Sequence, residues 1–157
     1  MWAVWTGPGG KWASGYTGWN TNNVDPCAPP CIAAFGGVFH LFFMDHNGRG
    51  ILHLTSADGT KWSQSDVFYT GSDTSAGPAS ITFDKLLYVF FRDGSGNSIL
   101  YIQSSDGKGF KPAPCWYIGL NCDFEPRIAS TPNETRMCLV CVDQGGSGIM
   151  RAVFTPW

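Results

Sequence analysis

Apolar and polar positions fall into short runs separated by Gly, Asp, Asn and Ser. In the segment PASITFDKLLYVFFRDGSGNSILYIQSSDGKGF (Pro78 to Phe110) and just beyond it, four runs stand out: Ala79–Phe83, Leu86–Arg92, Ser98–Ser104 and Phe110–Tyr117. The breaks are Asp84-Lys85, Asp93-Gly94-Ser95-Gly96-Asn97 and Asp106-Gly107-Lys108-Gly109, all of them turn chemistry. Each run predicts a strand. LLYVFFR is apolar on both sides of its strand, as is VFHLFFM earlier in the chain. A strand apolar on both faces lies between two sheets.

The pattern occurs three times. PCIAAFGGVFHLFFMDHNGRGILHLTSADGTKW (Pro30 to Trp62) precedes the first segment at a constant offset of 48 residues, so Asp45 matches Asp93 and Ile51 matches Ile99. A third copy begins at Pro126, carries two extra residues near Asn133 and continues in register to Trp157, which makes Asp143 and Ile149 the third equivalents. The repeats are therefore 30–77, 78–125 and 126–157. The third stops before its fourth strand. Trp12 in GPGGKW aligns with Trp62, and Trp19 aligns with Tyr69 and Tyr117, so segment 1–29 is expected to complete the last repeat. Met1–Gly9 then duplicates the third-strand positions of Ile149–Trp157. A period of this length with several strands per repeat predicts an all-β chain, a β-propeller of four-stranded antiparallel blades. Rings close with about 4–8 blades. Three repeats therefore predict a homodimer of six blades, the N-terminal strand of one chain completing the last blade of the other.

Composition narrows the function classes. The chain is 43% hydrophobic and 15% aromatic but only 14% charged, against about 25% in ordinary domains. That excludes a disordered polar chain and a coiled coil. The net charge is −2 and the basic residues are scattered, so no nucleic-acid partner is expected. No apolar run reaches the roughly 20 residues that span a bilayer, so no membrane insertion is expected. Met1-Trp2-Ala3 lacks the basic n-region and apolar core of a signal peptide, so none is expected at this start.

The six cysteines are locally spaced. The only CxxC, Cys138 to Cys141, lies in the strand-like MCLVCV, where positions i and i+3 face opposite sides and cannot share a metal. Two local disulfides are expected, Cys27–Cys31 and Cys115–Cys122, with Cys138 and Cys141 as buried free thiols. Such bridges imply an oxidising compartment, hence a secreted or extracellular protein.

SADGTKW (Ser56–Trp62) and SSDGKGF (Ser104–Phe110) resemble the Asp-box, S-x-D-x-G-x-x-W/F, with Gly directly after the Asp; TGPGGKW (Thr6–Trp12) is a degenerate copy. The repeat as a whole resembles the sialidase-like (BNR) propeller repeat of bacterial and fungal lectins and toxin-associated sugar-binding proteins. That resemblance implies a structural role for Asp58 and Asp106, and no catalytic one. It also implies a sugar-binding face.

In a four-stranded meander the 2–3 turns and the links between blades share one face, and the Asp-box turns sit on the other. The first face carries Asp45-His46-Asn47-Gly48-Arg49, the Asp93 and Asp143 turns, and the links 70–77 and 119–125. Aromatic rings beside carboxylates and amides suit a sugar. Trp19, Tyr69 and Tyr117 are the expected stacking surfaces; Asp45, Asp73, Arg92, Asp93, Asn121 and Glu125 are the expected hydroxyl partners. The predicted function is a glycan-binding lectin with several equivalent shallow sites, partnering glycans or glycoproteins. No catalytic residue, metal or cofactor is expected, since the three arginines, Tyr–Glu pair and Asp acid of a sialidase are not recognisable. His40 and His53 align with Tyr88 and Tyr101 and read as ordinary blade positions. Two alternatives stand beside the lectin. One is a secreted protein-interaction or toxin-associated propeller. The other is a glycoside hydrolase, for which Asp123 and Glu125 flanking Arg127 would be the paired carboxylates. Asn133-Glu134-Thr135 is a glycosylation sequon.

Overall fold

A computed structural model describes residues 2–5, 7–15, 28–45, 50–63, 68–112 and 120–155, with backbone alone for 2–5, 12–15, 68–72 and 112. Every regular element among them is a strand. The first is a hairpin, β1 (Trp2–Trp5) paired with β2 (Trp12–Gly15). The first sheet follows, β3 (Cys31–Phe35), β4 (Val38–Met44), β5 (Gly50–Ser56) and β6 (Phe68–Asp73), in sequential antiparallel order. The second sheet is β7 (Ala79–Phe83), β8 (Leu86–Arg92), β9 (Ile99–Ser104) and β10 (Lys111–Pro112). The third is β11 (Arg127–Ser130), β12 (Met137–Val142) and β13 (Ile149–Phe154). Each sheet is thus one sequence repeat.

The pairing registers repeat with the sequence. His40 lies opposite Ala33 and Thr55, and Tyr88 lies opposite Ile81 and Gln103, the positions 48 residues on. The N-terminal hairpin occupies third- and fourth-strand positions of the repeat, with Trp5 opposite Trp12. Within the Met1–Gly9 duplicate, β1 is the hairpin partner of β2. Among the described residues β13 pairs with β12 alone.

The sheets stack face on face. The side of the first sheet carrying Cys31, Ala33, Phe35, Phe42 and Ile51 packs on Leu87, Val89, Phe91, Ile102 and Phe110 of the second. The other side of the second sheet, with Phe83, Tyr88, Phe90 and Ile99, packs on Met137, Leu139 and Cys141 of the third. That is why the middle strand LLYVFFR is apolar at every position from Leu86 to Phe91: both of its faces are interior. Each fully buried large side chain, such as Phe83 or Leu87, contributes about 1.5–3 kcal/mol of burial. The first strands of successive repeats lie side by side, β3 along β7 and β7 along β11. Thr82 Oγ1 donates to the Ala34 carbonyl at 2.5 Å across the first of these seams. The three sheets therefore fan outwards from their first strands.

Equivalent turns close the 3–4 connections. In one, the Asp58 carboxylate accepts the N–H groups of Lys61 and Thr60, both at 2.8 Å, and the Ser56 hydroxyl accepts from Gly59 N–H. In the next, Asp106 accepts from Gly109 and Lys108 at 2.9 and 2.8 Å, and Ser104 accepts from Gly107. These donors hold both carboxyls below the ordinary range, Lys61 and Thr60 leading for Asp58, Gly109 and Lys108 bringing Asp106 down to about 2. Gly107 is at φ +71, and a Cβ there would sit 2.6 Å from His40 Cε1.

The cysteine expectations need correction. Cys122 bonds to Cys141, with Cα atoms 6.0 Å apart, and neither belongs to a local loop. Cys31 and Cys138 are free thiols. Cys141 is therefore not the free thiol expected from its strand, and Cys122 is not paired with Cys115. Cys27 and Cys115 lie outside the described residues. Burial pushes the Cys31 thiol up to about 12, against smaller opposing effects of Ser80 and Arg127. It is a protonated thiol.

His40 and His53 do occupy blade positions. They stack with ring centroids 5.0 Å apart, His40 Nδ1 lies 2.8 Å from His53 Nε2, and Tyr88 and Tyr101 meet at the same register one repeat on, at 5.9 Å. Burial lowers the pKa of both histidines, that of His53 to about 4 with His40 adding to the effect.

Candidate functional site

The links between sheets and the 2–3 turns meet on one end of the stack. Each 2–3 turn is closed by the same bond, from the Asp N–H to the carbonyl five residues on: Asp45 to Gly50, Asp93 to Ser98 and Asp143 to Gly148, at 2.8, 2.8 and 3.0 Å. The links are stitched to these turns. Thr74 bridges Asp93, Ser98 bridges Asn121, and Cys122 bridges Asp143. Ser75 Oγ donates to the Asp93 carbonyl at 2.9 Å. Gly145 N–H donates to the Asp123 carboxylate at 2.7 Å. The disulfide from Cys122 to Cys141 fixes the second link against the third sheet.

The candidate residues fall at this end as follows. Asp73 ends β6 and is exposed; Gly94 packs against it, so a Cβ on Gly94 would lie 3.0 Å from Asp73 Cβ. Asp93 turns its carboxylate onto Ser95, accepting from its N–H and hydroxyl. Arg92 follows Tyr88 and Phe90 in alternation, so it stands on the side facing the third sheet, and its guanidinium donates to the Asn97 amide oxygen. Asn121 is exposed, and its carbonyl accepts from Gln144 N–H at 3.1 Å. Asp45 occupies the same turn position one repeat earlier. Asp143, the third equivalent, is held below the ordinary carboxylate range, first by Gly148 N–H and then by the Ser147 hydroxyl. Trp19 and Tyr117 lie outside the described residues, and so does the side chain of Tyr69, whose backbone pairs with Leu52 in β6.

Glu125 stands apart chemically. Its equivalents are Gly77 and Pro29, where the two preceding links touch: a Cβ on Gly77 would lie 2.5 Å from the Pro29 carbonyl oxygen. These positions open the first strands, the innermost of the fan. The repeat therefore places a carboxylate at this position only in its third copy. Arg127 donates to Glu125 at 2.8 Å, with side-chain exposures of 58% and 24%, so the glutamate is oriented yet reachable. Arg127 and Asn97 were not among the residues singled out as ligands. The signal for Arg127 was present as Glu-Pro-Arg at a strand start, where i and i+2 share a side. Asn97 is revealed only by the fold of its turn.

An open concavity lined by Thr131, Pro132, Asn133, Thr135, Arg136 and Thr155 lies at the opposite end of the stack. It offers hydroxyls, an amide and one guanidinium but no carboxylate. Thr135 Oγ1 donates there to Asn133 Oδ1 at 2.9 Å within the sequon.

No protein-family model matches the sequence, and no curated protein matches it. Solved structures do. A thermostable family-43 glycoside hydrolase superposes with a TM-score of 0.58 at 15% identity, over 82% of this chain and 48% of its own. An α-L-arabinofuranosidase from Podospora anserina, in complex with cellotriose, gives 0.58 at 16%, over 87% and 48%. An exo-β-1,3-galactanase from Phanerochaete chrysosporium, with galactose, gives 0.61 at 12%, over 98% and 38%. The fold is a β-propeller. The propeller of this chain spans about half or less of the length of these neighbours.

The neighbours correct two expectations. They are glycoside hydrolases, not lectins, so the lectin reading and the expectation of no enzymatic activity are both withdrawn. The sialidase-like resemblance holds for the propeller class alone, since no family model supports Asp-box repeats. The Ser–Asp turns described above keep their structural role whatever the family.

Proposed function

We propose that this propeller is part of a glycoside hydrolase, with its reaction centre at the end where the interblade links and 2–3 turns meet. The observation that carries the reading is the match, over most of this chain, to propeller enzymes that cleave glycans. The pairing of Glu125 with Arg127 supports it. A glycosidase needs two carboxyl groups flanking the scissile bond, one to protonate the leaving oxygen and one to activate water or attack the sugar. Glu125, steered by Arg127, is one. Asp73 and Asp123, on the two successive links, are the candidates for the other. Asp123 is tied to Gly145 N–H, which fixes its orientation, whereas Asp73 is exposed at the rim. Sugar hydroxyls would be met by Arg92, Asn121 and the Asp45 and Asp93 turns. Glycans are the partner this chemistry fits. The disulfide fits an extracellular protein acting on them. The three repeats fall short of a closed ring, and we propose that the missing blades are contributed by a second copy.

The test is release of reducing sugar from xylan, arabinan and β-1,3-galactan by the purified protein. Turnover on at least one is expected. Glycan binding with no bond cleavage on any glycan offered would return the protein to the binding class.

A further inference from the structure

The connection between the first two strands of a sheet changes in the third repeat. In the first two repeats it is a tight turn, Gly36-Gly37 between the paired Phe35 and Val38, and Asp84-Lys85 between the paired Phe83 and Leu86. In the third, Ser130 pairs with Met137 and the loop runs from Thr131 to Arg136. The enlargement carries Asn133-Glu134-Thr135, and no other Asn in the chain is followed two places on by Ser or Thr. Every residue from Thr131 to Arg136 is exposed. The loop is nonetheless a built one. Thr131 N–H donates to the Arg136 carbonyl and Glu134 N–H to the Thr131 carbonyl, both at 2.9 Å. The Thr131 hydroxyl accepts from the N–H groups of Thr135 and Arg136 at 3.2 and 3.1 Å. Glu134 stands at φ +53, and its carboxylate accepts from Asp84 N–H of the neighbouring turn at 3.1 Å. The central side chain of the sequon is thereby tied to the second sheet and not to Asn133.

We infer that Asn133 is an N-glycosylation site, its side-chain amide accepting an oligosaccharide from a lipid-pyrophosphate carrier. The inference rests on the extracellular reading proposed above, and not on the hydrolase one. A bond forms from Asn133 Nδ2 to the anomeric carbon of the first sugar. The bond from that carbon to the pyrophosphate oxygen breaks, the lipid pyrophosphate leaves with its electron pair, and one amide proton passes to a base of the transferring enzyme. Nothing is oxidised or reduced. The difficulty of the step is that a carboxamide nitrogen is a poor nucleophile. The Thr135 hydroxyl answers it, donating to Asn133 Oδ1 at 2.9 Å. A donor on the amide oxygen acidifies the N–H and leaves the nitrogen to react. Threonine, stiff at χ1, holds that donor in place. Space is available as well, because Asn133 and Thr135 line the open concavity with Pro132, Arg136 and Thr155. Its hydroxyls and guanidinium can meet those of a first sugar. The site lies at the end of the stack away from Glu125, so a glycan there leaves the proposed reaction centre uncovered.

The test is secretion of the full chain from yeast behind a cleavable leader, with the intact mass read before and after peptide N-glycosidase. One oligosaccharide above the 17.1 kDa chain mass is expected, lost on digestion, which leaves a carboxylate in place of the Asn133 amide. Asn133→Gln and Thr135→Val should both be secreted without the glycan. Valine keeps the branched shape of threonine and removes only the hydroxyl, so a change of fold is not what the second variant reads. Thr135→Ser keeps the donor on a freer side chain and should be partly occupied. Secreted wild type without a glycan overturns the inference, as does a glycan that persists in Asn133→Gln or in Thr135→Val. Non-reducing peptide maps of the same samples report the Cys122–Cys141 bond. A bond formed with Asn133 unmodified would sink the site and spare the extracellular reading; a glycan with the bond absent would do the reverse.

Discussion

Breaking the Cys122–Cys141 bridge should cost the propeller a measurable part of its stability. The bond closes a loop with a sequence separation of 19. In the chain-entropy account, a loop of that size restricts the unfolded chain by about 3 kcal/mol at room temperature. For a chain of this length each kcal/mol moves Tm by about 2–4 °C, so the double variant Cys122→Ala/Cys141→Ala should melt about 6–12 °C below the wild type. Alanine is chosen because Cys122 is fully buried and Cys141 nearly so, and a serine would leave a buried hydroxyl in an apolar cluster. Scanning calorimetry reads the shift, and peptide mapping under non-reducing conditions reads the bond. A reductant should lower the wild-type Tm towards that of the variant. An unchanged Tm in the variant, or a mapped bond from Cys122 to Cys115, would refute the pairing.

Three further outcomes follow from the same structure. Gly107→Ala should destabilise by more than about 1 kcal/mol, because its φ is positive and the added Cβ meets His40, whereas Gly109→Ala, with open space around it, should stay within about 0.5 kcal/mol; urea melts compare them. Thermal stability should fall as pH drops from about 6.5 to about 4: burial lowers the folded-state pKa of His53 to about 4, so in that window the unfolded chain binds the extra proton. His53→Phe should flatten that slope in a Tm-against-pH series. Asp106→Ala should lower Tm by removing the acceptor for Gly109 and Lys108 N–H, while leaving any hydrolysis at the far end unchanged.

The strands were legible because turn chemistry recurs at fixed offsets. Ala79–Phe83 and Leu86–Arg92 were bounded on the sequence as they stand in the fold, since Asp84-Lys85 and Asp93-Gly94 break the pattern on either side. The shared end of links and 2–3 turns followed from meander parity, which is topological. The disulfide was not legible. Spacing favours the nearest cysteine, but Cys122 sits in a link that pairs with Asp143, and that bridge carries it to the strand holding Cys141. Function was the least legible. A rim of Asp, Asn and Arg beside aromatic residues serves a sugar-binding face and a sugar-cleaving one alike. What would separate them is the spacing of a pair of carboxylates across a bound sugar, which the fold sets and the repeat does not.

The most direct test of the account compares one substitution at each end of the propeller on a glycan that the wild type hydrolyses. Glu125→Gln keeps the shape of the side chain and removes its acid–base capacity; Lys108→Ala alters the opposite end. Loss of about 10²–10⁴-fold in kcat/KM for Glu125→Gln, with Lys108→Ala at the wild-type rate, is the predicted result. A Glu125→Gln enzyme as fast as the wild type, or a loss confined to Lys108→Ala, would contradict it.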